Sequence, residues 1–388
     1  MKNQWPKFSL QESNAVKNVI LSGKVNYFTG NECKKFEKEF AEWSKTKHAI
    51  ALSNGTVALE LALRAININS GDQVIVTPRS FIASVSCVIT LGATPIFADI
   101  DENSGNITSE TIEKVITKKT KAIICVHLGG HPCEMEEIIK LKKKKKVYLI
   151  EDCSQAHGAK YKNKMIGSFG DIATWSFCQD KIISTGGEGG MVTTNNTKFY
   201  EKMWSYKDHG KSRRKLLNQK VVNDYVWLHD SFGSNFRMTE MQAVLGRLQL
   251  KNITKTNTLR NRNANYLKKI FLKYKDFFYV PIVDSYMCHA YYKFYVYINI
   301  KNFKRFSTRK NLISKLNKMG VDCFSGSCSE IYKEEAFKNS KFKPNKSLPN
   351  AKKIGETSLM FLVHQTISEK EIKITCKKID QAIKSIIA

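Results

Sequence analysis

Short apolar runs alternate with helical patterns along the first half of the chain, from about residue 48 to residue 200. This alternation predicts an α/β fold with a mostly parallel central sheet flanked by helices. Parallel strands end at one edge of their sheet, and open α/β sheets bind ligands there. The ends of the runs are therefore where we look for functional side chains. The runs lie at 73–77, 94–100, 121–127, 147–152, 172–177 and 190–194.

One lysine lies between an apolar strand pattern and a glycine cluster, in the segment Trp175-Ser-Phe-Cys-Gln-Asp-Lys181-Ile-Ile-Ser-Thr-Gly-Gly-Glu-Gly-Gly190. The glycines let the backbone pass close to a bulky group. An amine that is partly removed from water can attack a carbonyl, as the Schiff-base lysine that holds pyridoxal phosphate must do. Lys181 is therefore the first catalytic candidate. The alternative is ordinary surface charge in a lysine-rich chain.

A carboxylate follows a buried strand pattern in the segment Val147-Tyr-Leu-Ile-Glu-Asp152-Cys-Ser-Gln155-Ala-His-Gly158. Its position predicts that Asp152 lies at the ligand-binding edge of the sheet. A carboxylate there could pair with a protonated pyridine nitrogen and keep a cofactor ring electron-poor. The alternative is that Asp152 only caps the turn that follows.

A third segment predicts an anion-binding site. Residues 48–64 show a short strand, a tight turn at Asn54-Gly55 and a helix whose apolar residues recur at helical spacing. The N-terminus of such a helix offers free backbone N–H groups and the positive end of its dipole. Many helices begin with Gly-Thr for capping alone, so this motif is weak by itself.

Together these segments resemble the DegT-type (DegT/DnrJ/StrS) sugar aminotransferases, and the resemblance covers most of the chain. It also includes the segments 71–81, 91–101 and 233–243. It implies the type I fold of pyridoxal-phosphate enzymes, that of aspartate aminotransferase, with a smaller α+β C-terminal domain. The implied reaction moves an amino group from glutamate to a keto-deoxysugar attached to a nucleotide, for bacterial surface polysaccharides or secondary metabolites.

The resemblance also implies residue roles and a cofactor, pyridoxal 5'-phosphate, with pyridoxamine 5'-phosphate as the intermediate form. Lys181 would carry the cofactor and move the proton, and Asp152 would face the pyridine nitrogen. Gln155 would lie beside the ring hydroxyl, and Phe81 would stack on the ring, although ordinary core packing is the alternative for Phe81. The phosphate would be held by Gly55, Thr56 and Ser176, and by Asn235 of a neighbouring subunit, so that a homodimer shares its active sites.

One position distinguishes the reactions within this family. Relatives that remove a sugar hydroxyl carry histidine where this chain has Lys181, so the lysine favours amino transfer over dehydration. Departures from the family pattern are Asn54 in place of serine, the sequence Cys-Gln-Asp after Phe177, and a glycine pair after Leu128. The alternatives are a nucleotide-sugar dehydratase and a non-catalytic regulatory or nucleic-acid-binding protein with the same fold.

The net charge of +28 comes from lysines spread through nearly every segment. The densest run, 142–146, follows a helical pattern and is typical of a solvated helix end rather than a nucleic-acid patch. The ten cysteines are scattered without a Cys-x-x-Cys motif, which favours a reducing compartment and gives no metal or disulfide framework. With no signal-peptide pattern and no long apolar run, we expect a soluble, cytoplasmic protein.

The length of 388 residues predicts two domains, a large pyridoxal-phosphate-binding α/β domain at 1–250 and a small α+β domain at 251–388. A long helix is predicted at 239–274, beginning with a capping box of Thr239 and Gln242. Strand patterns follow at 291–298 and 358–363, and helical patterns at 309–319 and 369–387. Weaker candidates for a substrate site are His289 and the loop 323–328.

Overall fold

A computed structural model describes residues 5–218, 227–303 and 309–387. The helices are α1 (Leu10–Leu21), α2 (Glu32–Ser44), α3 (Gly55–Ala65), α4 (Ala83–Ile89), α5 (Ser109–Glu113), α6 (Met135–Lys145), α7 (Thr197–Tyr206), α8 (Arg213–Asn218), α9 (Glu240–Lys251), α10 (Ile253–Leu272), α11 (Arg309–Lys318), α12 (Pro349–Thr357) and α13 (Glu369–Ile387). The strands are β1 (His48–Leu52), β2 (Gln73–Val76), β3 (Thr94–Phe97), β4 (Thr120–Val126), β5 (Tyr148–Asp152), β6 (Lys160–Tyr161), β7 (Lys164–Met165), β8 (Ile172–Ser176), β9 (Gly190–Thr194), β10 (Phe278–Tyr279), β11 (Met287–Cys288), β12 (Phe294–Ile298), β13 (Cys323–Phe324) and β14 (Ser358–Phe361).

The central sheet has seven strands in the order β1-β9-β8-β5-β4-β2-β3. Neighbouring strands from β8 to β3 pair in parallel, whereas β9 runs antiparallel to both β1 and β8. Most of these strands are buried along their length, because helices cover the sheet. The prediction of a mostly parallel sheet flanked by helices is confirmed.

The capping box predicted at Thr239 is present, since the Thr239 hydroxyl accepts from the Gln242 N–H and the Gln242 side chain accepts from the Thr239 N–H. The prediction of one helix from 239 to 274 is wrong, because α9 and α10 are separate helices. The break lies at Asn252, whose backbone leaves the helical region and whose side-chain amide donates to the Leu248 carbonyl at 3.1 Å.

The apolar side chains form two cores. The larger one surrounds the seven-stranded sheet. The smaller one lies between α10, α11, α13 and a four-stranded sheet ordered β10-β12-β14-β13. Residues after 250 enter the larger core as well, including Tyr292, Tyr295 and Ile331. The domain boundary at residue 250 stays a prediction.

A third, three-stranded sheet is formed by β11, β6 and β7. Among the described residues, no helix combines the length and the apolar composition needed to cross a lipid bilayer.

Candidate active site

The carboxyl ends of β1, β4, β5 and β8 surround a cavity of about 530 Å³. The edge is the one that the sequence predicts for a ligand site. Several connections that leave these strands contribute side chains to the wall. The predicted residues that line the cavity are Gly55, Thr56, Phe81, Asp152, Gln155, Ser176 and Lys181.

Asp152 ends β5 with its carboxylate buried against the cavity, and the residue is only 4 % exposed. Ser84 donates from Oγ to Asp152 Oδ2 at 3.1 Å, and the Ser154 N–H donates to Oδ1 at the same distance. The Ser154 contact is the turn contact that the alternative interpretation expected. No basic side chain forms an ion pair with Asp152 among the described residues, so a cationic ring nitrogen fits this site.

A buried network fixes the backbone next to Asp152. Its neighbour Glu151 accepts hydrogen bonds from the N–H groups of Gly167, Phe169 and Gly170 at 2.6–2.9 Å. The His127 ring lies 3.2 Å from Glu151 through Nε2, while its Nδ1 accepts from a backbone N–H at 3.0 Å. His127 therefore donates through Nε2, and both carboxylate oxygens of Glu151 accept hydrogen bonds.

The N-terminus of α3 forms the opposite wall. Asn54 caps this helix, because its Oδ1 accepts from the Val57 N–H at 3.0 Å, so asparagine performs the capping role here. The N–H groups of Gly55 and Thr56 lie in the first turn, where a helix has no partners for them. A Cβ built on Gly55 would lie 2.7 Å from Ser176 Cβ, so the helix start packs directly on the end of β8. This arrangement fits a phosphate group.

Phe81 and Gln155 extend the wall on either side of Asp152. Phe81 is 69 % exposed although it is a large apolar side chain, which argues against the core-packing alternative. Gln155 is buried, and its Oε1 accepts from the Gly129 N–H at 2.7 Å. Gly129 and Gly130 both have positive φ and lie against β12 and the chain leading to it, so the glycine pair after Leu128 is needed for this close approach.

The amine of Lys181 is held by two groups that sequence reasoning missed. Its Nζ lies 3.1 Å from Asp180 Oδ1 and 3.4 Å from the hydroxyl of Tyr292. The Tyr292 hydroxyl in turn donates to Asp180 Oδ2. Burial acts to raise the pKa of Asp180, but the charge of Lys181 and the Tyr292 hydrogen bond outweigh it, so this pKa lies below its ordinary value. Burial and the Asp180 charge raise the pKa of Tyr292 well above its ordinary value.

Further polar groups are buried behind Lys181. Trp5 donates from its indole N–H to the Lys181 carbonyl at 2.8 Å, and its ring lies 5.8 Å from the guanidinium of Arg260. Arg260 donates to the carbonyls of Tyr291 and Tyr292 at 3.3–3.4 Å. His157 is fully buried, and burial together with the charge of Lys181 lowers its pKa to about 3.

Three predicted candidates do not line the cavity. Asn235 is exposed and forms an isolated antiparallel bridge with Asp208. His289 stacks on Tyr291 and accepts from its backbone N–H at 2.8 Å, as a packed histidine does. The segment 323–328 consists of β13 and the residues that follow it, and none of these residues lines the cavity.

A lysine amine, a buried carboxylate and a helix N-terminus surround one cavity at the ligand-binding edge of an α/β sheet. The buried carboxylate of Asp152 and the first-turn N–H groups of Gly55 and Thr56 fit the two ends of pyridoxal phosphate. Fold and site thus define a pyridoxal-phosphate-dependent transferase of type I fold.

The sequence profile of the DegT/DnrJ/EryC1/StrS aminotransferase family matches residues 7–380, and the chain belongs to this family. A GDP-perosamine synthase of Escherichia coli O157:H7 is 44 % identical over 256 residues, which are 64 % of this chain and 67 % of that relative. The crystal structure of an aminotransferase from Psychrobacter cryohalolentis has 52 % sequence identity and a TM-score of 0.98, with 99 % of each chain covered. Helicobacter pylori PseC, an aminotransferase involved in pseudoaminic acid biosynthesis, has 27 % identity and a TM-score of 0.87 over 99 % of both chains.

The protein is therefore a sugar aminotransferase that uses pyridoxal phosphate, as the resemblance implied. The predicted fold class and cofactor are confirmed. The comparisons favour an enzyme over the non-catalytic alternative.

Proposed function

We propose that this enzyme transfers an amino group from L-glutamate to a keto-deoxysugar that is attached to a nucleotide. The observation that carries the proposal is the position of the Lys181 amine in a cavity that also holds a buried carboxylate and the start of α3. A histidine at position 181 would favour dehydration, and this chain has lysine. When bound, pyridoxal phosphate supplies an electron sink for the carbon that carries the amino group.

The residue roles are part of the same proposal, and the lining of the cavity supports them. Lys181 would hold the cofactor covalently and, once displaced by the amino donor, would carry a proton on Nζ between the substrate carbon and the cofactor carbon. Asp152 would pair with the protonated ring nitrogen, and Ser84 would orient the carboxylate for that contact. Gln155 would lie beside the ring hydroxyl, and Phe81 would stack on the ring. Gly55, Thr56 and Ser176 would hold the phosphate.

Names of similar proteins support the nucleotide-sugar as substrate. The family members include a GDP-perosamine synthase and a dTDP-3-amino-3,6-dideoxy-alpha-D-galactopyranose transaminase of Aneurinibacillus thermoaerophilus, which is 34 % identical over 309 residues. The nucleotide is GDP in the first name and dTDP in the second. A role in surface polysaccharides or in secondary metabolites is part of the same proposal.

We further propose a homodimer in which Asn235 reaches the cofactor phosphate of the partner subunit. Asn235 is exposed and lies outside the cavity of its own chain, as a residue that serves another chain would. Its loop also exposes Phe232 completely, and Trp227 is 79 % exposed. Exposed aromatic side chains of this size are typical of protein interfaces.

A cytoplasmic location and the two-domain division at residue 250 belong to the proposal as well. The ten cysteines are free, and six of them are buried, which suits a reducing compartment.

The decisive experiment records the absorption spectrum of the enzyme and identifies the reaction product. Cofactor-loaded enzyme is expected to absorb at the edge of the visible range and to lose that band with glutamate while 2-oxoglutarate forms. Keto-sugars on GDP, UDP and dTDP are then offered to the glutamate-treated enzyme, and the new amine is located by NMR. Release of a deoxygenated sugar without nitrogen would refute amino transfer in favour of dehydration. Failure of glutamate to bleach the band, with bleaching by another amino acid, would refute the donor.

A further inference from the structure

A group of positive charges surrounds Tyr292 and has too few negative partners. The amines of Lys181 and Lys293 lie 5.0 and 4.7 Å from the centre of the Tyr292 ring, and Arg260 donates to the Tyr292 carbonyl. Asp180, which binds the Tyr292 hydroxyl, is the carboxylate of this group. We call Lys181, Lys293, Arg260, Asp180 and Tyr292 the Tyr292 cluster. When Lys181 is bound to the cofactor, the cluster retains two cations, Lys293 and Arg260, and one anion, Asp180.

The remaining charges near the cluster do not balance it. His157 and His364 also lie close to these cations. Burial lowers the pKa of His157 to about 3 and the pKa of His364 to about 4, so both histidines are neutral at physiological pH. Burial lowers the pKa of Arg260 to about 9, which leaves its guanidinium charged. The cluster is therefore positive overall at neutral pH.

Two of the cations have donor groups with no hydrogen-bond partner in the part of the chain that the structure describes. Arg260 is 1 % exposed, and its Nε and Nη2 have no hydrogen-bond partner among residues 5–218, 227–303 and 309–387. No hydrogen bond or ion pair joins the Lys293 amine to another residue in the described ranges. Arg260 is buried and Lys293 is half-buried, and cations removed from water are normally paired because an unpaired charge in a low-dielectric site is costly. The Tyr292 cluster is thus short of an anion.

We propose that the Tyr292 cluster binds a carboxylate group of the amino donor, with Lys293 making the contact and Arg260 adding its charge from behind. The inference rests on the proposed amino transfer at Lys181. In an amino acid, one carbon separates the reacting nitrogen from the α-carboxylate, so a donor that reacts at Lys181 brings an anion into this region. In a nucleotide-sugar, by contrast, the sugar ring separates the reacting carbon from the pyrophosphate. Position therefore favours the donor carboxylate over a phosphate.

Binding of glutarate, a dicarboxylate without an amine, tests the proposal by titration calorimetry on the cofactor-loaded enzyme. Lys293→Gln is expected to weaken glutarate binding at least tenfold, and Lys293→Arg is expected to keep it within about threefold because the charge remains. Lys164→Gln is the matched control, since this exposed lysine on β7 lies outside the cluster and the cavity. Equal glutarate affinity in the parent enzyme and Lys293→Gln would overturn the proposal.

A pH titration of the parent enzyme gives a second measurement that needs no variant. Burial lowers the pKa of Lys293 to about 8, although the Asp180 charge partly opposes this shift. The amine is protonated below that pH, so glutarate affinity is expected to hold at pH 7 and to fall as the pH rises through 8. Lys293→Arg should move this fall to higher pH. A parent profile that Lys293→Arg leaves unchanged would assign the titration to Asp180, Tyr292 or Lys181 and would count against Lys293.

Further measurements distinguish a carboxylate from a phosphate as the bound anion. They also distinguish a failure of the cluster proposal from a failure of the proposed amino transfer. Inorganic phosphate that binds more tightly than glutarate, with the same dependence on Lys293, would overturn the assignment to a carboxylate. If glutamate never bleaches the cofactor band, the proposal of amino transfer from glutamate is refuted. The glutarate titration then still tests whether the Tyr292 cluster binds a carboxylate. If glutamate reacts and Lys293→Gln leaves its KM unchanged, the cluster proposal alone fails.

Discussion

Gly55→Ala tests whether the contact between α3 and β8 builds the phosphate site. Gly55 does not have positive φ, so the substitution brings no left-handed strain. The new Cβ would lie 2.7 Å from Ser176 Cβ and 3.3 Å from Ser176 Cα, which is inside the optimum of about 3.5–4.0 Å for two carbon atoms. Because part of this overlap is with backbone, the end of β8 must shift.

The magnitude follows from two opposing effects. Alanine in place of glycine should stabilise the first turn of α3 by about 0.4–1 kcal/mol, whereas overpacking costs about 1–3 kcal/mol. We therefore expect net destabilisation of the cofactor-free protein by roughly 1 kcal/mol. The residues that move are those that hold the phosphate, so the affinity for pyridoxal phosphate should fall about tenfold, which corresponds to about 1.4 kcal/mol.

Thermal unfolding of the cofactor-free protein and a spectroscopic titration with pyridoxal phosphate measure the two effects separately. Thr56→Ala is the matched control, since it removes a neighbouring hydroxyl without creating overlap. It should weaken cofactor binding and leave the melting temperature of the cofactor-free protein nearly unchanged. The reasoning is refuted if Gly55→Ala melts at or above the parent temperature and binds the cofactor with parent affinity.

Three further predictions concern the residue roles. Lys181→Ala should abolish the absorption band of the lysine-bound cofactor and reduce amino transfer by several orders of magnitude, and near-normal turnover would show that another group does this work. Asp152→Asn should retain cofactor and the Ser84 contact but lose turnover by about 10²–10³, as expected when one preorganised charge is removed; parent-like turnover would make Asp152 a turn residue only. Asn235→Ala should weaken cofactor binding by about 1–3 kcal/mol. A mixed dimer of Lys181→Ala and Asn235→Ala chains should regain activity relative to either homodimer, because one site then carries both lesions and the other is intact; no recovery, or an active monomer in sedimentation, would place the site within a single chain.

The sequence located the parts of the site that follow strand ends. Asp152 and Gly55 each come directly after an apolar run that predicts a strand, and parallel strands bring such positions to one edge. The Tyr292 contact could not be found in this way. Tyr292 and Asp180 are 112 positions apart, and neither lies in a local pattern that predicts their hydrogen bond.

Local patterns also mislead where a side chain interrupts a periodic segment. The apolar spacing continues through Asn252, so it predicts one helix, yet the side chain of Asn252 competes for a helical carbonyl and the chain restarts as α10. Lys293 shows the complementary limit. A lysine in so basic a sequence gives no signal, and only the folded arrangement shows that the amines of Lys293 and Lys181 both lie about 5 Å from the centre of the Tyr292 ring.

The indole of Trp5 has a practical consequence for work with this enzyme. Because its N–H donates to the Lys181 carbonyl, Trp5 forms part of the support of the reactive lysine. A purification tag that displaces Trp5 would therefore remove a hydrogen bond from the backbone of Lys181, whereas a tag after α13 would lie far from Lys181 in the sequence. Kinetic constants of amino-terminally and carboxy-terminally tagged preparations should be compared before either is taken as those of the native enzyme.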